Sequence, residues 1–293
     1  MHPYASAAYA VAFAPQASRW LPNARTHVLL RPIPGTAATD AMGCYPLCVF
    51  ESNDRVAEDF AALAGAGLVS LVLVTDCLTQ PGRDFLDTHF DHVREYKTHY
   101  LFDCALGGRP SKHHRDGVRR ANRACTTRVV DLAQHLDGWG ACYDTLRHRK
   151  GLGGLHDFSR AYFQQLARLP ELVTIASFVD DELVSAHLFL RWRGRLYSHL
   201  AASSPRGYEV EASFAIYAAA LERFGEDHVI DFGGGAGLAD AEDGLAAFKR
   251  GFANSQRRNF VCGKTLDPDT SARLAAAGPA SAGFFPAYRA PRP

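Results

Sequence analysis

The stretch Val229-Ile-Asp-Phe-Gly-Gly-Gly-Ala-Gly237 constrains the fold of this chain more than any other. A short apolar strand that ends in an acid and opens into a glycine loop matches the cofactor turn of a class I methyltransferase. In such a doubly wound fold the turn ends the first strand, and several strand–helix units must follow it. Only 56 residues follow Gly237, and the last part of them is rich in Pro. No acid ends a second strand about 20 residues on, where a ribose hydroxyl would need one. The cofactor fold is excluded unless the chain is circularly permuted. The glycines then serve as a tight turn that lets another backbone or a phosphate come close.

Next in the chain is Gly244-Leu-Ala-Ala-Phe-Lys-Arg-Gly-Phe252. Residues 244–265 contain Lys249, Arg250, Arg257, Arg258 and Lys264, and no acid. Unopposed cations beside a glycine turn suit a phosphate or a carboxylate. Arg257 and Arg258 fit a solvated basic face equally well. Lys249 stands between the aromatic anchors Phe248 and Phe252 and reads as functional.

Strands and helices alternate over the first hundred residues, which predicts an α/β layer structure. The pattern predicts helices over 4–14, 56–65 and 83–93, and strands over 26–32, 44–50, 68–75 and 96–103. Residues 109–128 break the alternation, with seven Lys/Arg against the single acid Asp116. Ser111 is placed to cap a helix there. Lys112, Arg115, Arg119 and Arg123 fall on one face of it, and Val118, Ala121 and Cys125 on another. Helices follow over 132–149 and 157–169. A strand meander then covers 171–178, 182–192 and 195–201, with turns at Asp180-Asp181 and Arg193-Gly194. A long apolar helix over 211–224, the strand 229–232, a short helix near 245–248 and a strand over 259–264 complete the series. This element order is that of a GNAT-type acyltransferase fold. The partition is an N-terminal degenerate GNAT-like domain (1–108), a basic connecting helix (109–128), a C-terminal GNAT-like domain (129–265) and an Ala/Pro-rich tail (266–293). The tail cluster Phe284-Phe285-Pro286-Ala287-Tyr288-Arg289 is too aromatic for a disordered end, so the tail is expected to pack back.

With a formal net charge of +1, no global field recruits nucleic acid or an anionic membrane, and any such contact must come from local clusters. Seven scattered cysteines fit reduced thiols in a cytoplasm better than a disulfide framework. Cys44 and Cys48 lack a second pair or a His at ligand spacing, and no histidine shows metal spacing, so no metal is expected. The N-terminus has no basic n-region and no apolar run is long enough to span a bilayer, so a cytoplasmic protein is expected.

The apolar helix, the strand ending Asp-Phe-Gly-Gly-Gly, the acidic loop Asp240-Ala-Glu-Asp243 and the Phe-Lys-Arg-Gly-Phe element together resemble the C-terminal GNAT domain of the FemAB family. The helix from Ser111 to Arg123 resembles that family's basic inter-domain segment. The resemblance covers roughly residues 96–265. It implies two GNAT-like domains in tandem. It also implies transfer of an amino acid from aminoacyl-tRNA to an amine on a peptidoglycan precursor, a peptide or a natural-product intermediate. Lys249 would stabilise charge in the transition state, with Phe248, Gly233, Gly234 and Gly235 shaping its pocket. No cofactor is implied, because the activated ester arrives on the tRNA.

Lys112, Arg115, Arg119, Arg123, Arg257 and Arg258 could track tRNA phosphates. Tyr197 and His199, on one face of a meander strand, and Arg160 suit the acceptor cleft. The chain shows no convincing Ser- or Cys-based triad, as direct transfer would have it. Acyl-CoA stays open as the donor. The stretch Ser203-Ser-Pro-Arg-Gly-Tyr-Glu-Val-Glu-Ala212 occupies the pyrophosphate position of ordinary GNAT enzymes. It has Arg206 and one glycine, but Glu209 and Glu211 stand where backbone amides should meet phosphate. A non-enzymatic scaffold is the third reading.

Overall fold

A computed structural model describes residues 1–13, 17–154, 157–236, 243–277 and 283–290. Two compact units divide the chain: Met1–Lys97 with Arg258–Pro293, and Thr98–Arg257. Arg258–Pro293 completes the first unit and the basic helix lies inside the second, whereas the sequence partition sets both apart. Among the described residues no helix is long and apolar enough to cross a membrane.

The first unit opens with helix α1 (Ala7–Phe13) and strands β1 (Ser18–Leu21), β2 (Thr26–Pro32) and β3 (Thr39–Gly43). Helix α2 (Val56–Gly65), strand β4 (Leu68–Val74), helix α3 (Arg83–His89) and strand β5 (His92–Phe102) follow. Helix α2 buries Val56, Phe60 and Leu63 at the spacing read from the sequence. It is the crossover between β3 and β4, which pair in parallel. The run 44–50 is not a strand. Strand β3 ends at Gly43, Pro46 supplies no N–H for a ladder, and only Cys48 makes a single bridge, to Thr75. Cys44 and Cys48 are buried, and burial raises both thiols, Cys48 to about 12, so they are packing groups. Helix α3 stops short of Val93. Thr265 N–H donates to the Asp91 carboxylate and Lys264 pairs with it, and the chain turns into β5.

The second unit begins within β5 and continues with helix α4 (Lys112–Ala124), strand β6 (Thr126–Val130) and helices α5 (Leu136–Lys150) and α6 (Arg160–Leu166). Strands β7 (Leu172–Val179), β8 (Glu182–Trp192) and β9 (Arg195–Ser203) form the meander. Helices α7 (Pro205–Glu209) and α8 (Ala212–Phe224), strand β10 (Val229–Asp231) and helix α9 (Gly244–Phe252) complete it. The strand order is β5-β10-β9-β8-β7-β6. Among the described residues of this unit, β10 and β9 pair in parallel and the other neighbours antiparallel. The meander turns as the sequence requires, with positive φ at Asp180, Asp181, Arg193 and Gly194. Ile175, Phe189 and Leu196 of the meander pack with Ile216, Tyr217 and Ala220 of α8. Ser111 Oγ caps α4 by accepting the His114 N–H.

Strand β11 (Ser255–Thr265) carries the chain back into the first unit, where it pairs antiparallel with β4. That unit's strand order is β1-β2-β3-β4-β11. After helix α10 (Pro268–Ala277) the described end of the tail lies on this unit. Phe285 stacks on His92 with ring centroids 5.5 Å apart, and Arg289 Nε donates to the buried Asp40 carboxylate at 2.6 Å.

Candidate active site

Strand β10 is three residues long, yet it ends in a polar knot. Asp231 is buried, and its carboxylate bonds His99 Nδ1 at 2.8 Å and accepts the Gly233 N–H at 2.7 Å. Gly233 has φ +77°, a conformation that glycine adopts at no steric cost. The next carbonyl, that of Gly234, accepts a hydrogen bond from Lys249 Nζ at 2.7 Å. A Cβ on Gly233 would stand 3.2 Å from the same nitrogen. The glycine turn therefore leaves room for an ammonium group. Gly235 is also in this turn, whereas Gly237 and the acids Asp240 and Glu242 lie outside the described residues.

Lys249 is 8% exposed on α9, and so a nearly buried cation. Asp243 caps this helix, accepting the Ala246 N–H at 2.7 Å and the Ala236 N–H at 2.6 Å. Those amides, and to a lesser degree the Lys249 charge, hold its carboxyl below the usual range. Phe248 lies 4.9 Å from both Phe214 and Tyr217, which anchors the helix on α8. Gly251 of the motif serves packing. A Cβ there would come within 1.9 Å of His114 Cε1. The His114 ring spans from Ser111 Oγ at 2.8 Å to the Phe248 carbonyl at 2.9 Å, so α4 is keyed to the helix that carries Lys249. Burial lowers the His114 pKa.

Sequence reading missed most of the polar groups around Lys249. His187 of β8 is 1% exposed; its Nε2 lies 2.7 Å from Ser198 Oγ, and its ring is 5.3 Å from that of Tyr217. Burial, then the charge of Lys249, then His199 hold its pKa well below the ordinary histidine value. Tyr217 stacks on Phe232 at 4.8 Å, and burial with the Asp231 charge raises its phenol. The one signal in the sequence was a histidine inside the apolar run 183–190, which periodicity alone cannot tell from a core residue.

The other expected residues are dispersed. Phe189 pairs with Ser198 and Arg191 with Leu196, on the face that α8 covers, whereas Tyr197 pairs with Leu190 on the opposite face. His199 falls at a bulge and binds Tyr162 Oη of α6 at 2.6 Å. Arg160 is exposed and pairs with Asp137 at 2.6 Å. On α4, Lys112, Arg119 and Arg123 are exposed, Arg119 pairs with Asp116, and Arg115 donates to the Pro110 carbonyl at 2.6 Å. Arg257 is exposed in the second unit, and Arg258 pairs with Glu95 at 3.3 Å in the first.

The stretch 203–212 is mostly helix α7. The Gly207 N–H goes to Ser204 Oγ, Arg206 pairs with Glu209 at 2.9 Å, and Glu211 pairs with Arg120 at 2.8 Å. The amides of Tyr208, Val210 and Glu211 bond carbonyls of the same turn.

Residues 112–250 match the profile of the acetyltransferase (GNAT) domain family. The solved structure of FemX is similar to 93% of this chain over 95% of its own, with a TM-score of 0.68 at 12% identity. The C-terminal domain of a protein assigned as a lysylphosphatidylglycerol synthetase from Agrobacterium fabrum is similar over 96% of this chain and 94% of its own, with a TM-score of 0.63 at 13% identity. The L-PGS structure from Bacillus licheniformis follows with a TM-score of 0.58 at 13% identity, over 90% and 93% of the two chains. A search of curated protein sequences finds no match. Residues 112–250 are thus similar to a GNAT acetyltransferase domain, in a chain with a FemX-like α/β fold.

Proposed function

We propose that the second unit transfers an aminoacyl group from aminoacyl-tRNA, in the cytoplasm, to an amine on a cell-wall precursor or a peptide, forming an amide. The observation that carries this reading is the Lys249 ammonium, nearly buried and held 2.7 Å from the Gly234 carbonyl at the end of β10. Aminolysis of an ester passes through a tetrahedral oxyanion. A fixed cation already bound to one carbonyl oxygen is placed to bind a second as its charge develops, which is worth about 3 kcal/mol. The ester on the tRNA is already activated, so an enzyme nucleophile is not required.

Two features favour RNA over acyl-CoA as the donor. The amides and the arginine of the stretch 203–212 are engaged within their own turn or by neighbouring acids, which disfavours a pyrophosphate cradle there. Exposed Lys112, Arg119 and Arg123 on α4, with Arg115 beside them, suit a phosphate backbone. Lys249→Ala is expected to lower turnover by about 100-fold, with a smaller effect on donor KM. Ribonuclease is expected to abolish transfer from charged tRNA. Unchanged turnover in Lys249→Ala would remove the lysine from the mechanism. Transfer from acyl-CoA that survives ribonuclease would establish the alternative donor.

A further inference from the structure

We propose that Ser198 and His187 form a proton relay beside Lys249, in which Ser198 takes the proton of the attacking amine and passes its own to His187. The relay rests on the acyl-transfer reading above and adds to it the route by which the proton leaves.

Three observations lead to it. First, Ser198 Oγ and His187 Nε2 are 2.7 Å apart, the reach of a direct proton transfer. Ser198 is half-buried whereas His187 is 1% exposed, so a substrate meets the hydroxyl and not the ring. Second, His187 Nδ1 is buried and has no hydrogen-bond partner among the described residues. An unpaired ring nitrogen costs stability. His187 stacks on Phe189 with centroids 4.0 Å apart, a slot that a phenylalanine would fill without that cost. A histidine here calls for a reason other than packing. Third, the pair sits on the face that α8 covers, joined to the glycine turn through one ring. Tyr217 is 5.3 Å from His187 and stacks on Phe232, the residue before Gly233.

The step balances within the reactants. The amine nitrogen attacks the ester carbonyl carbon, a C–N bond forms, and the carbonyl oxygen takes up negative charge toward Lys249. The nitrogen loses its proton to Ser198 Oγ as the Ser198 proton moves to His187 Nε2. When the C–O bond to the donor breaks, the same proton returns through Ser198 to the leaving oxygen, and both side chains are restored. His187 must accept at Nε2, which requires the tautomer with its hydrogen on Nδ1. Among the described residues, the titratable groups that act on the ring include Lys249 from α9, His199 from β9 and Tyr217 from α8, with Asp231 acting on Tyr217. Burial and Lys249 keep the imidazole neutral at rest. The oxyanion cancels the Lys249 charge at the moment the proton is released, so the imidazolium forms when it costs least.

The test uses the full chain, bulk tRNA charged with labelled amino acids, acetyl-CoA as the second donor, and a lysine-bearing peptide as acceptor. Ser198→Ala and His187→Gln are each expected to lower kcat by about 100-fold at unchanged donor KM. The double variant should be no worse than either single one, and Ser198→Thr should keep most of the activity. In the wild type, acceptor kcat/KM should steepen in its fall at low pH once His187 protonates. His187→Gln should retain only the shallower fall set by the amine. If His187→Gln does not fold, Ser198→Ala and its threonine rescue decide alone. Full turnover in Ser198→Ala overturns the relay and leaves the acyl-transfer reading standing. An acyl group found on Ser198 by mass spectrometry also overturns it, because the serine is then a nucleophile. No transfer by the wild type from either donor overturns the acyl-transfer reading and the relay with it.

Discussion

Gly251 and Gly233 are both glycines of the site, and different neighbours require them. Gly233 turns the chain at φ +77° so that the Gly234 carbonyl meets Lys249. Gly251 leaves space for the His114 ring, where a Cβ would come within 1.9 Å of Cε1. Gly251→Ala is expected to destabilise the second unit by about 1–3 kcal/mol, read as a lower urea midpoint. Combined with His114→Ala, it should cost much less than the sum of the two single changes, because the clash disappears with the ring. Additive losses would show that the ring and the glycine do not share the site. At this scale the sequence singled out Lys249 through its aromatic neighbours and the missing acids. It could not assign Gly251, because the ring that demands a glycine is 137 positions earlier in the chain.

Strand β9 shows what an element's own pattern leaves open. Alternation puts Tyr197 and His199 on one face, and a bulge opposite Leu188 and Phe189 breaks the alternation at His199. Tyr162 of α6 receives that histidine. Burial moves the His199 pKa from 6.5 down to about 3. The folded form resists protonation that the unfolded chain accepts, so this contribution to stability is complete above pH 6.5 and is lost as pH falls toward 3. By pH 5 the loss from His199 is about 2 kcal/mol. His199→Phe is expected to flatten the fall in unfolding free energy between about pH 7.5 and pH 5 by that amount, whatever its effect at higher pH. His187 and His114 are shifted in the same direction and keep part of the slope. An unchanged slope in His199→Phe would mean that the imidazole is protonated in the folded protein. Helix α2 and strand β4 were legible to within a residue because an apolar period or run is complete within their own length. Strands β1, β3 and β6 were not, since short segments form strands only where a partner supplies the ladder.

At the scale of the chain, the first unit needs both ends of the sequence. Asp40 is fully buried and receives Arg31 Nε at 3.0 Å, Arg289 Nε at 2.6 Å and Tyr288 Oη at 3.1 Å. Among the described residues, Arg289→Ala leaves Arg31 as the cation paired with that carboxylate, and Asp40→Ala removes the acid that both arginines face. Breaking a buried pair in this way costs about 3 kcal/mol. Both variants are expected to lower the midpoint of the transition that reports on the first unit, with Asp40→Asn milder than Asp40→Ala. A midpoint unmoved by Arg289→Ala would show that the tail does not hold this unit.

The sequence by itself determined the α/β alternation, the hairpin turns, the capped basic helix and the turn that holds Lys249. Each of these depends on sterics and periodicity within a few consecutive residues. Only the tertiary structure decided that the chain returns to its first unit at Arg258, that His114 keys α4 to α9, and that His187 and Ser198 face α8 while Tyr197 faces away. Those outcomes depend on strand register, bulges and contacts between residues far apart in the chain. No local pattern encodes them, because each is set by whichever surface has to be buried.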